Sequence, residues 1–157
     1  MRLGDFILEE SIIGELRAET KPEALAEMVR SLIDSGCLDA GATDSVLEAL
    51  GRREEIGSTG IGHGVAIPHA KHPAVSRLLG VYAHSSKGVG YDSCDGEPVK
   101  VVFLILWPDG VIGPHLEAIA EVSQLLRREN FLSRLKVCGD KKEIVRLFAE
   151  ADKEALL

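Results

Sequence analysis

The chain has 157 residues and a formal net charge of −7, from 18 basic and 25 acidic side chains. At that length it buries roughly 70% of its unfolded surface on folding, so neither a metal nor a disulfide staple is required. An acidic chain without a basic run excludes the electrostatic footprint of a protein that binds nucleic acid or an anionic membrane, and favours a basic protein partner.

In chain order, residues 1–5 lack the basic region and apolar core of a signal peptide. Residues 11–17, with Ile12, Ile13 and Leu16, read as a first strand. Thr20-Lys21-Pro22-Glu23 has the form of a capping box with proline in the first turn, and Leu25, Met28, Val29, Leu32 and Ile33 follow at helical spacing up to Gly36. A second helix is predicted over residues 42–55, with Val46, Leu47 and Leu50 inward and Gly57 closing it. Strands are predicted over 65–67, 78–84 and 99–107, the last a near-continuous apolar run covered on both faces. That run contains Lys100 and is too short to span a bilayer. A third helix is predicted over 114–129, a short one over 131–137, and a last one opening at Asp140-Lys141-Lys142-Glu143 with Ile144, Leu147 and Phe148 inward. Cys37, Cys94 and Cys138 are widely spaced and form no Cys-x-x-Cys pair, so they read as free thiols in a reducing compartment. One cytoplasmic domain over 1–157 is expected, a layered mixed-sheet α/β domain.

The most informative stretch runs from Gly57 to Lys71. Glycines 57, 60, 62 and 64 alternate with other residues, and Val65-Ala66-Ile67 then runs into Pro68 and delivers His69. Proline fixes its own φ and holds Ile67 extended, so the backbone presenting His69 is stiff. Ser58, Thr59, Gly60, Gly62, His63 and Gly64 form an expected phosphate-binding loop, because glycines let an anion approach main-chain amides. His69 is thus a candidate phosphoryl acceptor, weighed against a core histidine satisfied by backbone. His115, in Gly113-Pro114-His115-Leu116, stands at the start of the third helix, where free amides and the helix dipole favour an anion and a neutral imidazole; a plain helix cap is the alternative. Arg52 and Arg53 end the second helix and could fork onto phosphoryl oxygens, or remain solvated. His63, His69 and His72 match no metal-site spacing, Ser58 lacks a nucleophile elbow, and the glycine run lacks the Lys-Ser/Thr ending of a P-loop. No metal and no cofactor are expected.

These residues resemble the phosphorylation-site signature of the fructose/mannitol-type enzyme IIA domains of the bacterial phosphotransferase system, and most closely the stand-alone nitrogen-regulatory branch. Arg53 to Gly60 is similar to the family's approach to the site, Tyr91 to Val99 to its pre-strand segment, and Leu106-Trp107-Pro108 with His115-Leu116 to its second histidine region. The likeness covers roughly residues 8–150 in order. It implies an α+β, three-layer α/β/α fold around a small mixed sheet. It further implies that His69 accepts a phosphoryl group at Nε2 from an HPr-type phosphocarrier, with His115 as second pocket histidine and Arg53 near the group. Two continuations are open: transfer to a IIB cysteine for sugar uptake, or a switched surface for regulatory target proteins. Without a fused IIB, IIC or HPr segment in the sequence, the regulator is the expectation. The chain departs from the family at His63, where an amide residue is usual, and at Ala70, where glycine is usual.

Overall fold

A computed structural model describes residues 1–154; the last three residues of the expected domain lie outside the described residues. Six strands form one mixed sheet: β1 (Ile7–Ile13), β2 (Gly60–Gly62), β3 (Val65–Ala66), β4 (His69–His72), β5 (Leu79–Val89) and β6 (Val99–Pro108). Their order is β1-β5-β6-β3-β2, with β4 also paired to β6. The five helices are α1 (Lys21–Asp34), α2 (Thr43–Ile56), α3 (Pro114–Leu126), α4 (Glu129–Lys136) and α5 (Lys141–Glu154).

Alternation along β6 builds the three layers. Val102, Leu104 and Leu106 pack with Met28, Val29 and Leu32 of α1 and with Val46 and Leu50 of α2. Val101, Phe103 and Ile105 pack with Val122 and Leu125 of α3, Leu135 of α4, and Ile144, Leu147 and Phe148 of α5. A strand buried on both faces needs apolar residues at successive positions, which is why residues 99–107 read as a continuous run.

Some boundaries differ from the sequence expectation. The first strand lies earlier, at Ile7–Ile13, because its pairing with β5 shifts register between Ile7 and Ile12 and so breaks the two-residue period. Leu16 belongs to the following connection, with its amide bonded to the His84 carbonyl at 2.7 Å. Thr20 makes no side-chain cap at α1; its backbone bridges to Gly90 instead, and the Lys21 amide bonds the Gly90 carbonyl at 3.1 Å. The third helix stops at Leu126, and the extended backbone of Arg128 (φ −76°, ψ 107°) separates it from α4. At α5 the Asp140 carboxylate does accept from the Lys142 amide, at 3.0 Å.

β3 and β4 are one run along β6 in two pieces, β3 covered by β2 and β4 at the open edge. Val65 and Ala66 pair with Val101 and Val102, and His69 to His72 pair with Ile105 to Pro108 in the same register. Between them stands Pro68, which has no N–H to donate to β6 and so marks the point where the ladder is interrupted.

Candidate phosphoryl-acceptor site

His69 sits just past the Pro68 break, where the sheet edge is open to both α2 and α3. Pro68 directs its carbonyl to β6, which leaves the Ile67 carbonyl facing away from that strand, and His69 Nδ1 lies 2.8 Å from the Ile67 oxygen. A carbonyl only accepts, so Nδ1 carries the proton and Nε2 keeps its lone pair. Arg53, in the last turn of α2, places Nε 3.3 Å from that Nε2 and anchors Nη1 on the Gly57 carbonyl at 2.9 Å. Burial pushes the His69 pKa below its ordinary 6.5; the Ile67 carbonyl pulls back, and the charge of Arg53 pushes down again. The ring is therefore neutral at neutral pH, with the lone pair on Nε2.

His115 occupies the first turn of α3, as its sequence context predicts. Its ring lies flat on Trp107, with centroids 4.0 Å apart and planes 4° from parallel. Trp107 also stacks on His69 at longer range, 6.1 Å and 25°. Together these groups line a cleft of about 760 Å³, which also takes in Arg52, Lys71 and Asp109. Three cations against one carboxylate make the cleft locally positive in a chain of net charge −7, which suits an anionic group. Around the cleft stand exposed apolar side chains, Ile56 at 83% and Ile112 at 85%, with Val111 and Leu116 also exposed.

The glycine loop is built differently from the expected phosphate cradle. None of Ser58, Thr59, Gly60, Gly62, His63 and Gly64 lines the cleft. Three of their amides are already engaged: Thr59 donates to Glu54 Oε2 at 3.0 Å, Gly60 to Ser58 Oγ at 3.1 Å, and His63 to Asp95 Oδ2 at 3.0 Å. The glycines serve packing and turns instead. A Cβ on Gly60 would lie 2.5 Å from Ser93 Oγ, and His63 itself takes a left-handed φ of 57° between Gly62 and Gly64, both also at positive φ. Backbone freedom is legible as glycine in sequence, but the direction of the freed amides is not.

The loop is pinned by a buried junction that the sequence reading did not single out. The Glu54 carboxylate accepts from the Thr59 hydroxyl, from Tyr91 Oη at 3.0 Å and from Lys21 Nζ at 3.1 Å, besides the Thr59 amide. Glu54 and Lys21 side chains are only 6% and 15% exposed. Burial alone would raise the Glu54 pKa, but these hydrogen bonds outweigh it and hold the carboxyl below its usual range. Its partners lie 33 and 37 residues away in sequence, so no local pattern signals them. Trp107 stands in the sequence as a strand end and as part of the segment resembling the second histidine region, with no sign of its stack on His115. Its register opposite Lys71, two residues beyond the His69–Ile105 pair, was the available clue.

The other histidines serve structure. His72 Nδ1 faces the Ala74 amide at 3.0 Å, and the buried His84 ring lies between the Gly14 and Lys136 carbonyls. The three cysteines are free. Among the described residues, no cluster of histidine, cysteine and carboxylate ligands forms a metal site, and no helix is long and apolar enough to cross a membrane.

Residues 5–151 match the sequence profile of the family described as "Phosphoenolpyruvate-dependent sugar phosphotransferase system, EIIA 2". A nitrogen regulatory protein of Bradyrhizobium diazoefficiens is 34% identical over 149 residues, covering 95% of this chain and 95% of that protein. A fructose-specific EIIA component of the phosphotransferase system from Haloferax volcanii is 34% identical over 131 residues, covering 83% of this chain and 84% of that protein. The crystal structure of nitrogen regulatory protein IIA-Ntr from Neisseria meningitidis superposes with a TM-score of 0.82 at 28% identity, over 93% of this chain and 98% of that one.

Proposed function

This chain belongs to the EIIA 2 family of the phosphoenolpyruvate-dependent sugar phosphotransferase system, and on that premise we propose that it carries its phosphoryl group on Nε2 of His69. The donor is an HPr-type protein bearing a phosphohistidine. The Nε2 lone pair attacks phosphorus as the donor's N–P bond breaks and the donor nitrogen leaves with that electron pair. The Nδ1 proton stays on its bond to the Ile67 carbonyl, so the acceptor requires no general base. The transition state is loose, with charge spread over the equatorial oxygens. Placement and charge stabilisation are then the protein's contributions. Arg53 shifts from the lone pair to those oxygens while its Nη1 stays on Gly57. His115, at the helix N-terminus, donates a hydrogen bond to a further oxygen. No nucleotide and no metal enter, because the donor already carries an activated group. The glycine loop supports the site by holding β2 and β3, and Thr59 and Gly60 have no phosphate contact in this scheme.

The single observation that carries the reading is the 2.8 Å contact of His69 Nδ1 with the Ile67 carbonyl, which sets the tautomer. The ring proton is committed to a backbone carbonyl, and the free nitrogen faces a cationic cleft rimmed by Ile56, Ile112 and Leu116. That apolar rim suits docking of a folded donor. A regulatory role, in which the phosphorylation state alters the surface seen by target proteins, is supported by the nitrogen regulatory relatives. Onward transfer to a IIB cysteine is the second reading. It is favoured by the Haloferax relative, which covers a similar length and bears a fructose-specific name. Both readings place the protein in the cytoplasm with its donor.

The test is incubation with a phosphorylated HPr-type protein, read by intact-mass spectrometry at alkaline pH. Wild type gains one acid-labile phosphoryl group, and His69→Ala gains none while remaining folded. Full labelling of His69→Ala overturns the assignment. Adding a IIB domain to the labelled protein separates the two roles: discharge to its cysteine supports sugar transport, and retention supports regulation.

A further inference from the structure

Trp107 is the only tryptophan in the chain, and its ring is in face-to-face contact with His115 at the edge of the cleft. His115 has an unusual need for such a contact. Its Nδ1 is buried and has no hydrogen-bond partner among the described residues. A buried N–H without an acceptor is costlier than a bare lone pair, so the proton of the neutral ring belongs on Nε2. Nε2 is the ring's other nitrogen, and His115 is half-buried and lines the cleft. His69 has its ring fixed by the Ile67 carbonyl. His115 has no such bond, and rotation about its χ2 is otherwise soft. What holds its plane is the indole, 4° from parallel at 4.0 Å.

We infer that Trp107 is a positioning residue for phosphoryl transfer, acting through His115: the stack fixes the imidazole plane so that Nε2–H is aimed across the cleft at the group arriving on His69. This rests on the reading of His69 as acceptor. Space-filling alone does not account for Trp107. An aliphatic side chain would cover the end of β6 as Ile105 and Leu106 do one turn of the pleat earlier, but it would leave the imidazole free to turn.

The test is the kinetics of transfer from a phosphorylated HPr-type donor to wild type, Trp107→Leu, Trp107→Phe, His115→Ala and the double variant Trp107→Leu/His115→Ala. Trp107→Leu lowers kcat about 10-fold, the scale of loss on removing a support from a positioned group, with KM for the donor unchanged. Trp107→Phe, which keeps a flat ring, recovers most of that loss. In the His115→Ala background Trp107→Leu costs nothing further, since residues acting as one unit are not additive. Additive losses, equal impairment of the Phe and Leu variants, or an unimpaired Leu variant overturns the inference. If the Leu variant fails to fold, nitrogen NMR of the wild-type His115 ring decides: a protonated Nε2 and bare Nδ1 support the inference, and a protonated Nδ1 overturns it. Labelling of His69→Ala would instead sink the acceptor assignment itself, so the two failures are distinguishable.

Discussion

Replacing Arg53 by leucine removes the one guanidinium held against the acceptor nitrogen. Its Nε is 3.3 Å from His69 Nε2, and its Nη1 is fixed on Gly57 at 2.9 Å, so the group is in place before the phosphoryl arrives. A charge-assisted bond to a developing oxyanion in such a site contributes about 2–4 kcal/mol. Against that, the resting bond to the lone pair is lost in wild type when attack begins, and its removal returns about 1 kcal/mol. The net loss of about 1–3 kcal/mol corresponds to a fall in transfer rate of roughly 5- to 150-fold. The pH dependence moves as well. Burial, with the Arg53 charge acting in the same direction, holds the His69 pKa below 6.5 against the pull of the Ile67 carbonyl. Protonation destroys the nucleophile, so the wild-type rate stays level through neutral pH and declines only as pH falls through that lowered value. Removing a neighbouring cation favours the imidazolium, so the acid limb of Arg53→Leu lies at higher pH than that of wild type. Single-turnover transfer from one donor, taken as the ratio of variant to wild type across about pH 5–8, reads both effects. A variant with wild-type rate and an unmoved acid limb refutes the placement of Arg53 at the phosphoryl group.

Glu54→Gln leaves Lys21 and Thr59 donors facing an amide; with the Glu54 and Lys21 side chains 6% and 15% exposed, the loss is about 3 kcal/mol, or roughly 6–12 °C in Tm by thermal unfolding at neutral pH. Because the Glu54 carboxyl is held below 4.5 in the fold, chiefly by Thr59 and Lys21 acting against burial, its contribution is complete above that pH and is lost as pH falls through the lowered value; a gap between wild type and variant that persists undiminished in strong acid counts against the junction. His63→Asn keeps the backbone bond to Asp95 and suits the left-handed φ of 57°, so the transfer rate stays at the wild-type level and stability is unchanged or slightly higher; a large rate loss would return the glycine loop to the phosphate site. Gly60→Ala drives a methyl to 2.5 Å from Ser93 Oγ and 3.0 Å from Ser93 Cα, which costs about 1–3 kcal/mol and is read as a lowered denaturation midpoint; an unchanged midpoint would mean that the close approach of these segments is not required.

Much of the fold was legible because its signals are local. The apolar run of β6, the helical spacing of Leu25 to Ile33, and Pro114 opening α3 each need only a short window. The rigid presentation of His69 was legible for the same reason, since Pro68 and His69 are adjacent. What escaped was relational. β1 hides its period behind a register shift against β5, whose paired residues lie seventy or more positions away. Thr20 looks like a cap and instead pairs through its backbone with Gly90. The glycines announced freedom, yet Asp95, Glu54 and Ser58 had already claimed the amides. Arg53 and His115 were found as individuals, but that Trp107 ties His115 to the cleft follows only from the pairing of β4 with β6.

The proton position of His69 traces back to the junction at Pro68. Proline 68 lacks an N–H, so the run along β6 cannot continue as a regular ladder and divides into β3 and β4 without losing register. At the division, Ile105 still donates to the Pro68 carbonyl at 2.9 Å, while the Ile67 carbonyl turns to His69 Nδ1. That bond selects the tautomer, and the tautomer selects which nitrogen can attack. Because Pro68 directs its carbonyl to β6, the alternation of the pleat turns the Ile67 carbonyl away from β6 and leaves it available to the imidazole. The edge location is equally necessary. Only there can a side chain on the α3 face of the sheet meet Arg53 from α2 on the other. Within a sheet buried on both sides, the acceptor, its guanidinium and an incoming protein surface could not share one cleft.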